Sequence, residues 1–73
     1  MKVYIEEVED YSTHGVTAYS LVQGMHAYMA EVRASGITIW HSEDYDQGKS
    51  LDSDDEKYKE LSKALTEEMY RNV

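Results

Sequence analysis

No cysteine occurs among the 73 residues, so the chain can build no disulfide framework, thiol nucleophile or thiolate metal site. Proline is absent and glycine appears four times, which rules out a collagen-like or low-complexity chain. No apolar run approaches the roughly 18 residues of a membrane span. Met1-Lys2-Val3-Tyr4-Ile5-Glu6 turns acidic where a signal peptide would be apolar, so the cytoplasm is the expected location. Basic residues are also scarce: 7 Lys and Arg stand against 15 Asp and Glu, a formal charge of -8. Without a Lys/Arg stripe to release counterions, direct binding of DNA or RNA is disfavoured. What remains is one small acidic domain spanning residues 1–73.

Val3 and Ile5 alternate with Tyr4 and Glu6, which predicts a short half-buried strand over residues 2–8. Residues 9–16 are polar and contain Gly15, so they read as a loop. From Thr17 to Ser35 two periods compete. On a wheel of about 100° per residue, Leu21, Val22, Met25, Tyr28, Met29 and Val32 fall within about 120°, as an amphipathic helix requires. A strand reading, with turns at Gln23-Gly24 and Ser35-Gly36, sends Leu21 and Val22 to opposite faces, and likewise Tyr28 and Met29. Gly36 followed by Ile37 also suits a helix C-terminus. The expectation is a helix, with Gly24 costing it about 1 kcal/mol relative to Ala.

Ile37 and Ile39 alternate with Thr38 and Trp40, predicting a second strand, and residues 43–52 read as a solvated acidic loop. Ser53 with Glu56 forms a capping box for a last helix. Its apolar stripe is Tyr58, Leu61, Leu65, Met69 and Val73, with Glu60–Lys63 and Glu67–Arg71 as side-chain pairs beside it. The expected fold is therefore α+β, strand-helix-strand-helix, with a minimal sheet. Two strands are marginal alone, so a homodimer or another partner would have to complete the sheet. The alternative is a four-stranded antiparallel meander with one C-terminal helix.

The charge is concentrated. Residues 6–10 sum to -4 and residues 43–56 to -6, while the remaining segments nearly cancel. If the two strands are parallel, both clusters leave the same end of the sheet and make one negative pole. Acidic loops of this kind serve solubility or recognise a basic surface. The candidate partner-binding residues are Glu6, Glu9, Asp10, Glu43, Asp44, Asp46, Asp54 and Asp55, with Tyr45 as an apolar anchor among them. The second candidate surface is aromatic. Seven Tyr and one Trp with no Phe favour rings that keep one edge wet, and Tyr4 and Trp40 would share the sheet face opposite Val3, Ile5, Ile37 and Ile39. That face is either an interface or a second small core.

Catalytic and metal chemistry find little support. Counting Asp44 as the first position of a calcium loop puts Gly48 where an oxygen ligand belongs, Lys49 where Gly belongs and Asp55 at the twelfth position. His14, His26 and His41 lack zinc-motif spacing. Ser12-Thr13-His14 and His41-Ser42-Glu43 carry the residue types of a hydrolytic triad without a nucleophile elbow. No enzyme, metal or cofactor is expected.

In size, acidity and lack of catalytic signatures, the chain resembles the small acidic inhibitors, anti-CRISPR proteins among them, that bacteriophages use against nucleic-acid-binding defence enzymes. Some of these imitate DNA. The resemblance is one of composition and covers no alignable motif. It implies a protein that occupies the basic surface of a nucleic-acid-handling partner. A self-associating structural protein is the alternative function, with a calcium-binding module third.

Overall fold

The computed structural model describes residues 2–71, the side chain of Asp46 excepted. Four strands, β1 (Tyr4–Glu7), β2 (Thr17–Gln23), β3 (His26–Arg33) and β4 (Gly36–His41), precede one helix, α1 (Glu56–Arg71). The strands form an antiparallel sheet in sequence order. A short 3₁₀ turn, Glu9–Tyr11, lies between β1 and β2, and a 3₁₀ helix, Ser42–Gln47, follows β4.

This is the meander with a C-terminal helix, and it corrects the expectation of a helix over Thr17–Ser35. Gln23 pairs with His26, leaving Gly24-Met25 as a two-residue hairpin loop. Gly24 has φ +61°, and no residue other than glycine has positive φ among the described residues. A type II′ turn asks for that pattern, with glycine at its first central position. At the next hairpin Arg33 pairs with Gly36 across Ala34-Ser35, and Gly36 takes φ +140°, serving the strand entry and not a helix end. The adjacent apolar residues that argued against a strand are accommodated because both sheet faces are covered. Tyr28 is 2% exposed and Met29 8% exposed, yet they point to opposite sides. Four strands also form a complete small sheet, so no second chain is required to supply missing strands.

The register sorts the side chains. Ile5, Leu21, Tyr28 and His41 form one row, and Tyr19, Ala30 and Ile39 the next. These rows face α1, whose Leu61 and Leu65 are fully buried against Leu21, Tyr28, Ala30 and Ile39. Tyr58 and Met69 extend the stripe, as the spacing predicts; Val73 lies outside the described residues. The Tyr58 hydroxyl donates to the Ile37 carbonyl at 2.6 Å, tying α1 to β4. The helix begins later than the Ser53 capping box implies. Asp55 is the cap, its Oδ1 accepting the Lys57 amide at 2.8 Å while its carbonyl accepts Lys59 N–H at 3.1 Å. Among the described residues the helix ion pairs are Lys57–Glu60, Lys59–Glu56 and Arg71–Glu68, so Glu60 and Arg71 pair with Lys57 and Glu68 and not with the expected Lys63 and Glu67.

Candidate interaction surface

The sheet face away from α1 carries Tyr4, Val22 and Ala27 in one row, Glu6, Ser20, Met29 and Trp40 in the next, and Ala18, Glu31 and Thr38 in the third. Tyr4 and Trp40 thus share the face that alternation assigns them. Two short segments fold back over it. After β1, the Ser12 hydroxyl donates to Val8 O at 3.0 Å and accepts the Ala18 amide at 2.9 Å, which holds Glu9–Tyr11 above β2. After β4, Tyr45 reaches back over β3 and donates its hydroxyl to Glu31 Oε2 at 2.7 Å. Its ring meets Trp40 edge-on at 5.1 Å and Tyr11 at 5.7 Å.

Tyr45, the expected apolar anchor for a partner, is therefore half-buried and engaged within the fold. Trp40 lies half-buried in the same small core, with Ala18 and Met29 beneath. Its indole Nε1 is buried with no hydrogen-bond partner among the described residues. Tyr4 remains 64% exposed, with Lys2 Nζ 5.4 Å from its ring centre.

The single negative pole is corrected by the topology. In an antiparallel four-stranded sheet the first and last strands run in opposite directions, so the chain leaves β1 at one end of the sheet and β4 at the other. The Tyr11–Tyr45 contact nonetheless joins the two 3₁₀ segments over one face. The segments that carry Glu9 and Asp10, and Glu43 and Asp44, thus both lie over the sheet face on which Glu6 stands. Asp54 and Asp55 lie apart, at the start of α1. Asp46 falls in the second segment, with its side chain outside the description.

Carboxylates divide sharply by pairing. Glu31, Glu56, Glu60 and Glu68 each have a cationic neighbour. Glu6, Glu7, Glu9, Asp10, Glu43, Asp44, Asp52, Asp54, Asp55 and Glu67 form no ion pair among the described residues.

On the α1 side, a polar cluster escaped the sequence reading. Gln23 is 4% exposed. Its amide donates to Glu60 Oε2 at 2.8 Å and accepts from Lys57 Nζ at 2.6 Å, while Lys57 also donates to Glu60 Oε1 at 3.0 Å. The Gln23 hydrogen bond, then Lys57, hold the Glu60 carboxyl below its ordinary pKa. The bond to Glu60 raises Lys57. A depression of about 410 Å³ opens beside the cluster, lined also by Gly24, Met25 and His26. No sequence signal joins residues 34 and 37 positions apart. Nearer β1, burial and then the Glu7 charge raise the Tyr19 phenol.

Among the described residues, no group of three His, Asp or Glu side chains gathers to hold a metal ion, and no helix is long and apolar enough to cross a membrane. No protein-family model, curated protein or solved structure matches the chain.

Proposed function

We propose that the protein acts by binding, as an inhibitor that occupies the basic nucleic-acid-binding surface of a partner protein. The observation that carries this reading is the set of unpaired carboxylates over the two 3₁₀ segments. A fold that used its acids for internal stability would pair them; these present uncompensated charge, held in place from below by Tyr11, Tyr45 and Ser12. Glu6, Glu9, Asp10, Glu43 and Asp44 would meet partner Lys and Arg side chains through charge-assisted hydrogen bonds, in competition with phosphate. Asp46 belongs to the same segment, and Tyr11, 56% exposed, is the ring available at its edge.

The test is capture of partners from cells that host the protein, with wild-type chain and a variant reversing Glu9, Asp10, Glu43 and Asp44 to Lys. Capture should be lost in the variant and should weaken with salt. Reversal of Asp54 and Asp55, which lie apart, should matter less. Undiminished, salt-insensitive capture by the first variant would reject the electrostatic mechanism. A second reading, assembly through the aromatic sheet face, is favoured by the exposure of Tyr4.

A further inference from the structure

We propose that β1 pairs two copies of this chain, strand against antiparallel strand about a two-fold axis, with Tyr4 opposite the partner's Tyr4. The inference does not rest on the inhibitor reading above, since it needs no molecule but the chain itself; it draws on Tyr4, the residue of the assembly reading, and it assigns Glu6 to the pairing instead of to a basic partner.

The two edges of the sheet differ. The β4 edge is engaged by its own chain, where the Leu51 amide donates to the Ile39 carbonyl at 2.8 Å. The β1 edge has no such cover. Val8 donates to Ala18 O, and in the same register Glu6 and Tyr4 turn their backbone groups toward β2. Within β1 the alternate residues Ile5 and Glu7 therefore turn theirs outward, and Val3 and Lys2 precede the strand, so the proposed pairing extends β1 back over them by the same alternation. Among the described residues none of the outward groups of Val3, Ile5 and Glu7 has a backbone partner. A bare edge of this kind is a template for another strand.

The side chains specify which strand and which register. With Tyr4 on the axis, Lys2 falls opposite the partner's Glu6, and Val3 falls opposite the partner's Ile5. Val3 and Ile5 are then the residues that exchange backbone hydrogen bonds, matching the groups that point outward. On one face, each Lys2–Glu6 pair flanks the two Tyr4 rings, which sit in the closer, non-hydrogen-bonded position. On the other face, Val3 and Ile5 extend the apolar layer that α1 covers. Sliding by one step puts Tyr4 opposite Glu6 and Val3 opposite Glu7. Sliding further puts Glu6 opposite Glu6, and like charges directly opposite are destabilising. Sliding the other way leaves both glutamates outside the pairing. The segment is self-complementary in one register. So short a strand buries less than the roughly 800 Å² per partner of a standard interface, so the dimer should be reversible and micromolar or weaker.

Sedimentation of the purified chain over a concentration series, reaching on the order of 1 mM, tests this. The mass should rise from 8.4 kDa toward twice that value. Lys2→Glu and Glu6→Lys should each weaken the dimer about tenfold or more, by setting like charges opposite one another. Both positions are exposed, so circular dichroism should be unchanged. An equimolar mixture of the two variants, or both exchanges in one chain, should restore pairing. A monomer at every concentration, a dimer indifferent to the single exchanges, or exchanges that fail to rescue would each overturn the proposal.

Discussion

Replacing Gly24 with Ala tests the central hairpin by the sign of its effect. In a helix interior the change would stabilise the protein by about 1 kcal/mol, because Ala is the better helix former. In the hairpin, position 24 holds φ +61°, where a Cβ costs an L-residue roughly 1–2 kcal/mol. The smaller freedom of Ala in the unfolded chain returns about 0.4–1 kcal/mol of that. The net expectation is a destabilisation of up to about 1.6 kcal/mol, or a fall in Tm of up to several degrees at about 4–8 °C per kcal/mol for a domain of this size. Met25→Lys supplies the matching control. Met25 is fully exposed at the hairpin tip, so its replacement should change stability by less than about 0.5 kcal/mol. On the helical stripe it would be a core residue, and a charge there would cost several times more. Thermal unfolding followed by circular dichroism reads both variants. A higher Tm for Gly24→Ala, or a large loss for Met25→Lys, would refute the hairpin.

Two further expectations concern the layer between sheet and helix. Leu61→Ala removes a fully buried side chain and should cost about 2–5 kcal/mol, against a total stability of roughly 4–11 kcal/mol for a chain this short. Val22→Ala, on the sheet face away from α1 at a position 38% exposed, should cost far less in the same denaturant titration. The Gln23–Lys57–Glu60 cluster should make stability pH-dependent in two directions. Glu60 is lowered, so its contribution is present above the ordinary glutamate pKa and is lost as pH falls through the folded value. Lys57 is raised, so its contribution is present below the ordinary lysine pKa and is lost as pH rises through the folded value. The Tm difference between wild type and Glu60→Gln should therefore be widest at neutral pH and shrink toward both extremes; a difference constant across pH would contradict the assignment.

The α1 stripe of Tyr58, Leu61, Leu65 and Met69, and the alternation in β1, read correctly because solvent on one side keeps the pattern clean. β4 is covered on both faces and reads correctly because Ile37 and Ile39 serve the core under α1 while Thr38 and Trp40 alternate with them onto the other face. β2 and β3 lie in the middle of a sheet covered on both faces. Leu21 and Tyr28 serve one core while Ala18 and Met29 serve the other, and the superposition imitates a helical stripe. Gly24, the residue that strained the helical reading, marks the turn. At the start of α1, a run of acids offers several caps in succession, and spacing alone cannot choose Asp55 over Ser53. The site divides in the same way. Charge clusters are visible as composition, but their placement depends on how many strands lie between them. Two parallel strands put them at one end, and four antiparallel strands at opposite ends, with Tyr11 and Tyr45 then drawing them over a common face.

The hydrogen bond from Leu51 to Ile39 makes the two edges of the sheet unequal as sites for an added strand. Strand addition can propagate indefinitely when a sheet is open on both sides, since each newcomer offers the next one an edge. Here the side beyond β4 is met at Ile39 by the chain's own return toward α1, so a copy that adds across β1 presents its engaged side outward. Assembly of that geometry closes on itself as a pair instead of extending into a fibre. One backbone contact in a loop thus bears on the difference between a finite complex and an open-ended one, and on the solubility of a small β-rich chain at high concentration.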